Sequence, residues 1–442
     1  MGTGNLEKEE YQFSWSRVII WLALATTIGA LTTLSLLWLT QMSLGRGGSE
    51  RIHEAFATQA LVGDYLAGDT NRGKHQFNDC LILGMALDQR ARPRELAVSP
   101  TIPFASAPDV CKALQADQAS GNHFYHNYLH GSTVLVRFLL PYFSIKSIRD
   151  FYRLMIEALL LIGIGICMLR ISLGQAVREH SVFLVVIISF SRFFGLEMFG
   201  QSLGHGPADA VLIGYIVFLA VNTGKLSARS AALAASLFGS LTMVFELLTG
   251  GLPLGLAAVT GLTWFALEES ERRSFVIKLS ALAYVTAAAA AALTKLAAVA
   301  VVFGPEALHI VGRAAQQRIN GSLDPMFSDR NLLSSIVGNM DALAPGLGPL
   351  SFGVFLIALV SGGWAAWRHR FRQEAMLLAG SNVPVLAWPF IFHQHMIIHA
   401  WFMDRIFVWT IASGFGLFLL SVIYAHEVDV CDRPVAKSAV AH

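Results

Sequence analysis

The 442-residue chain is 54% hydrophobic but only 14% charged, with a mean hydropathy of +0.55. A soluble chain carries about a quarter charged residues, so composition excludes an ordinary soluble domain and indicates an all-α polytopic membrane protein. The net charge of +2, with no basic tract or glycine-rich phosphate loop, gives no ground for a nucleic-acid or nucleotide partner.

Residues 1–16 mix Glu7, Glu9 and Glu10 with Lys8 and read as a cytoplasmic head. The apolar run from Arg17 to Met42 is long enough to cross a hydrocarbon core, and no small-residue cleavage site follows, so it reads as a retained signal anchor. Further spans are expected at 151–171, 181–196, 207–223, 231–249, 252–267, 276–303, 350–367, 376–392 and 407–425, about ten transmembrane helices within 17–425. Arg170, Arg178, Lys225, Arg229, Arg272, Arg273, Lys278, Arg368, Arg370 and Arg372 all fall in one set of connections. The positive-inside rule puts that set, and the tail 426–442, in the cytoplasm. The outer loop 43–150, the turn from Gly195 to Gly206, the outer loop 304–349 and the stretch from His393 to Arg405 then share the extracytoplasmic side.

The loop 43–150 is the one large polar insert. Within GKHQFNDCLILGMALDQ, Asp79 opens an apolar run, which suits either a helix N-cap or a general base at a membrane-level cleft. Cys80 and Cys111 lie in the same oxidising compartment and could pair. His123, His126 and His130 follow with Tyr125 and Tyr128, at a spacing that suits interfacial polar packing or a metal. From Ser132 to Arg149 apolar positions alternate with Arg137, Lys146 and Arg149, as in a helix lying in the membrane interface.

Beyond the insert, Glu197 and His205 flank a turn, with Asp209 just inside the next span. Glu246 closes a span, and ionisable groups at that depth mark functional positions. Lys295 stands in an apolar helix and reads as a snorkelling lysine or as a cation aimed into a cavity where phosphate would bind. The loop 304–349, with its Pro, Gly and Asn, reads as an irregular cover. His395 and His399 share a helical face, and Arg405 opposes the positive-inside bias, which an anionic ligand would explain.

Taken together, FNDCLILGMAL, HNYLHGSTVLVRFLLPYFSIKSIRD, FGQSLGHGPADA, VFELLTGGLPLGL, TKLAA and HQHMIIHAWFMDR resemble motifs of bacterial polytopic membrane glycosyltransferases of the GT-C type. Glu246, Gln394 and Leu129 stand where that family carries Asp, Asn and Trp. The resemblance implies a GT-C-like fold over 17–425, with a large first extracytoplasmic loop and an interfacial helix. It implies an inverting transfer of a sugar from a polyprenyl-phosphate donor to a glycan or protein acceptor in the cell envelope. Asp79 would be the catalytic base. Lys295, Arg405, His395 and His399 would hold the donor phosphate, and His130, Glu246, Glu197 and His205 the substrate. No metal ligand set is implied; the family includes enzymes with and without a divalent cation. The active face would look out of the bacterial inner (plasma) membrane. Two other classes suit the same features: a transporter or flippase of lipid-linked glycans, and a membrane metalloenzyme built on the His395–His399 box.

Overall fold

A computed structural model describes residues 15–63, 76–87, 91–103, 109–116, 121–245, 250–269, 272–320, 331–339, 343, 347, 350–370 and 372–431. Glu246 and most of the expected head and tail lie outside them. The described residues are overwhelmingly helical. In chain order, α1 is Trp15–Ser43, and the insert contributes α2 (Ser49–Ala57), α3 (Gln76–Leu87), α4 (Pro93–Val98), β1 (Thr101–Pro103), α5 (Asp109–Gln115), β2 (Gly121–Phe124) and α6 (Gly131–Leu139). There follow α7 (Ile145–Ser172), α8 (Val177–Phe193), α9 (Leu196–Phe199), α10 (His205–Val221), α11 (Ala228–Phe245), α12 (Gly251–Ala266) and α13 (Arg273–Phe303). The chain continues through α14 (Glu306–Asn320), α15 (Leu332–Asn339), α16 (Leu350–Arg368), α17 (Gln373–Gly380), α18 (Asn382–Ile391), α19 (His393–Met403), a 3-10 turn (Asp404–Phe407) and α20 (Val408–Cys431).

Among the described residues each expected span overlaps helix, although 181–196 and 376–392 each cross a break between two helices and 231–249 runs past the described residues. Seven segments are long and apolar enough to cross a membrane: Val18–Ser43, Ile145–Ser172, Ala228–Phe245, Arg273–Phe303, Leu350–Arg368, Gln373–Ile391 and Asp404–His426. Helices α10 and α12 are apolar but shorter. Large apolar side chains such as Ile20, Leu161, Val301, Val360 and Phe390 stay on the protein surface. Hydrocarbon, not water, suits that surface.

Lipid is as apolar as the side chains, so close packing and hydrogen bonds must join these helices. A Cβ on Gly29 of α1 would strike the Ala287 carbonyl of α13, and one on Gly239 of α11 would strike the Tyr284 carbonyl of α13. Thr33 Oγ1 donates to the Ala291 carbonyl at 3.0 Å in the same seam. A second small-residue seam joins α16 to α20, where Gly362 faces Gly414. These contacts let α1, α11 and α13 form one group and α16 and α20 another.

The insert packs around its own apolar cluster, including Ile52, Leu61, Ile82, Leu83, Met85, Val110, Val136, Ile145 and Ile148. Cys80 and Cys111 are bonded across it, with Cα atoms 5.2 Å apart. The amphipathic stretch from Ser132 to Arg149 is not one helix. It breaks at Pro141, and Ser144 caps α7 by accepting from the Ser147 amide at 3.1 Å. Arg137 and Arg149 are buried rather than lipid-facing. Tyr142 and Phe143 between the two helices are exposed.

The loop 304–349 also departs from the irregular cover expected. Its first part forms α14, because EALHIVGRAAQQRIN is rich in strong helix formers and Gly312 is its single glycine.

Candidate functional site

Two buried ion pairs frame the insert end of the bundle. Arg149 of α7 donates to Asp79 Oδ2 through Nε at 2.8 Å and again through Nη2, while Nη1 reaches the Ala60 carbonyl at 2.7 Å. The Leu203 amide donates to Asp79 Oδ1 at 2.6 Å. Asp79 is 0% exposed, and burial pushes its carboxyl above the usual range while Arg149 and the Leu203 amide pull it back. Both oxygens are therefore committed. The expectation of a base at an open cleft is corrected here: in this state Asp79 is a brace joining α3 to α7 and to the turn before α10.

The second pair joins Arg405 of the 3-10 turn to Asp209 of α10. The guanidinium lies over the Phe194 ring, 3.8 Å from its centroid, and within 5.3 Å of that of Phe199. Arg405 is buried, so its anomalous charge is answered by Asp209 rather than left open for an anion.

Lys295 is likewise fastened. Its Nζ donates to the Val98 carbonyl and lies 3.3 Å from Ser99 Oγ, which itself meets His126 Nδ1 at 2.9 Å. A lysine in mid-helix thus ties the α4–β1 corner to α13. It neither snorkels nor faces an open cavity.

His130 takes a left-handed backbone, φ 63°, at the start of α6. Its Nε2 meets the Tyr125 carbonyl at 2.8 Å, so Nε2 carries the proton and Nδ1 the lone pair. Nδ1 and Thr133 Oγ1 are buried without hydrogen-bond partners among the described residues. Burial, then Lys295, hold both His130 and His126 below the usual histidine range, His126 at about 4.

A separate set of side chains converges between α9, α10, α14 and α19. The His395 and His399 rings lie 4.5 Å apart, His399 is 5.2 Å from Phe402, and Phe402 is 5.6 Å from His205. His205 also meets Phe199, which stacks under Arg405. Within α19, His399 leaves helical φ/ψ, and this kink breaks the regular helical face assumed for the pair. Burial, with Arg318 of α14 adding to it, lowers His399 to about 4. Arg318 reaches Tyr125 Oη at 3.5 Å and lies 5.5 Å from the Tyr128 centroid. It has no ion pair among the described residues. Tyr125 in turn packs 5.4 Å from His130.

Three expected residues, His205, His395 and His399, are thus brought together, and Arg405 joins them through Phe199. His130 connects through Tyr125 and Arg318. Glu197 is exposed and lines a different cavity of about 350 Å³ with Arg153, Glu157 and Gln201. Glu246 lies outside the described residues. Sequence reasoning missed the partners: Arg149 looked like an interfacial charge, and Arg318 sits in a loop without a motif. Among the described residues no group of three His, Cys, Asp or Glu is gathered as a metal site requires. The Arg318 guanidinium can bind an anion, and the His399 imidazole, kept neutral by burial and by Arg318, can accept a proton.

Comparison with protein-family models, curated proteins and solved structures gives no match.

Proposed function

We propose that this chain is a GT-C-type membrane glycosyltransferase, taking a sugar from a polyprenyl-phosphate donor and passing it to an extracytoplasmic acceptor. In this reading the seven long segments and the shorter α8, α10 and α12 all cross a bacterial plasma membrane, and the exposed Tyr142 and Phe143 sit at its outer surface. The basic connections face the cytoplasm and the insert faces outward.

The observation that supports the reading is Arg318 of α14, which reaches Tyr125 and Tyr128 and whose charge bears on His399, itself beside His395. Arg318 has no acid to answer it among the described residues, and a phosphate supplies one. His399 is held neutral by burial and by Arg318. An anion on Arg318 removes the second influence, so donor binding raises the basicity of His399. The acceptor hydroxyl then loses its proton to His399 and its oxygen bonds to the anomeric carbon. The bond from that carbon to the phosphate oxygen breaks, and polyprenyl phosphate leaves with the electron pair. One displacement inverts the centre. Arg318 stabilises the departing charge, while Asp79, Lys295 and Arg405 hold the surrounding scaffold.

A second reading, a carrier of lipid-linked glycans, draws on one observation. The span Gln373–Ile391 is built from α17 and α18 with Pro389 inside, and interrupted helices characterise transporters.

The test is transfer from a panel of radiolabelled polyprenyl-phosphate sugars by wild type, Arg318→Gln and His399→Gln. The glycosyltransferase reading expects turnover by wild type, weaker donor binding in Arg318→Gln, and bound but untransferred donor in His399→Gln. Donor bound by all three without any turnover would sink it in favour of the carrier.

A further inference from the structure

At the opposite end of α13 from Lys295 lies a feature that sugar transfer does not use. The two ends are separated by 22 residues, about 33 Å along a helix. Here a cavity of about 690 Å³ is lined by Trp264 of α12, Glu269, and Arg272, Arg273, Ser274, Phe275 and Lys278 around the start of α13, with Gln373 of α17. Its volume is in the range of small-molecule sites.

Three cations against one carboxylate give the lining a formal charge of +2 among the described residues. Arg273 lies 5.4 Å from the Trp264 ring centroid and donates to the Leu267 carbonyl at 3.1 Å, so it faces oxygen dipoles rather than an acid. Lys278 is exposed and has no ion pair among the described residues. It stands just over a turn inside α13, in the same lining as Arg272 and Arg273. Trp264 and Phe275 give the same cavity an apolar wall. The seven spanning segments put this end of the bundle at a membrane surface.

We infer that this cavity binds the phosphate headgroup of an anionic phospholipid from the adjoining leaflet. Arg272, Arg273 and Lys278 face the phosphate, Ser274 and Gln373 can hydrogen-bond headgroup hydroxyls, and the aromatic wall borders the first acyl carbons. Basic pockets between spanning helices recognise such headgroups, each cation contributing on the order of 1 kcal/mol. The inference requires only that the chain spans a membrane; it holds whichever way the outer cluster is used.

Native mass spectrometry of the detergent-purified full chain, titrated with phosphatidylglycerol or phosphatidylcholine, tests it. Wild type should retain phosphatidylglycerol in preference to phosphatidylcholine. Arg272→Gln/Lys278→Gln removes two cations, which corresponds to about thirtyfold weaker retention. Thermal unfolding of the variant in detergent checks that it is folded, and Lys278→Gln alone, at an exposed position, should give a smaller loss in the same direction. Equal retention of the two lipids, or equal phosphatidylglycerol retention by wild type and the double variant, overturns the proposal. A third arm adds inorganic phosphate. Displacement of phosphatidylglycerol by millimolar phosphate would make the ligand a free anion and overturn the lipid assignment. Sugar transfer failing in the earlier assay leaves this readout untouched, so the two readings fail separately.

Discussion

Removing Arg149 tests whether the insert is held by a buried charge pair. Arg149→Met deletes the contacts to Asp79 Oδ2 and the 2.7 Å bond to the Ala60 carbonyl, leaving Asp79 with the Leu203 amide alone. The carboxylate is 0% exposed, so water cannot replace the guanidinium without opening the insert. Breaking one side of such a pair costs about 3–5 kcal/mol. Adding Asp79→Asn removes the orphaned charge yet keeps an oxygen for the Leu203 amide, so the double variant should recover about 2 kcal/mol of that loss. The measurement is a double-mutant cycle on the thermal unfolding of detergent-solubilised protein, with protease sensitivity of the insert followed in parallel. Additive single effects, or an Arg149→Met protein that melts with wild type, would refute the account of Asp79 as a brace.

Three further outcomes follow from the same structure. The Cys80–Cys111 bond closes a separation of 31 residues, worth about 3–4 kcal/mol on the chain-entropy account. Denatured, unreduced protein should therefore label at two of its four cysteines, and labelling at all four would deny the bond. A histidine held below its ordinary value binds fewer protons folded than unfolded. The stability tied to His399 is accordingly full above pH 6.5 and falls as the pH drops toward about 4. The total is about 3 kcal/mol, and thermal unfolding against pH should show a shallower acid limb in His399→Gln; an unchanged limb counts against this assignment. At the α16–α20 seam a Cβ on Gly414 would meet the Ala358 carbonyl. Gly414→Leu should part these helices and lower the thermal midpoint, whereas Gly363→Leu, where a Cβ meets nothing, should not.

The spans were legible because an apolar stretch of about twenty residues has few other uses in a chain this poor in charge. The cysteine pair was legible only as an opportunity, since compartment permits a bond that geometry must then allow. The buried ion pairs were not legible as pairs. Asp79 and Arg149 are 70 residues apart, and Asp209 and Arg405 are 196 apart. Asp79 and Arg405 stand out in the sequence as a base and an anion-binding cation, while their partners Arg149 and Asp209 carry no such mark, and each pair is completed by a distant part of the chain. Lys295 misled in the same way, because a carbonyl at the end of a six-residue helix leaves no mark in sequence. Arg318 erred in the opposite direction. It lies in a helix with no motif, and only the tertiary approach of α14 to Tyr125 and His399 gives it meaning.

The bond from Leu203 to Asp79 also sets an order of assembly. Leu203 follows Asp79 by 124 residues, and ribosomes add roughly 5–20 residues per second, so the two are synthesised about 6–25 s apart. Through that interval Cys80 and Cys111 are both already made, while the acid beside Cys80 lacks first one partner and then the other. The insert therefore passes through a stage in which it can be oxidised but cannot yet seal. Ribosome-arrested chains ending before Arg149, between Arg149 and Leu203, and beyond Leu203 should grow resistant to external protease in two separate steps. Resistance already complete in the shortest chain would mean that the insert closes alone. Otherwise, whatever oxidises these cysteines works on an open, water-filled pocket during translation, and the later helices close it behind the bond.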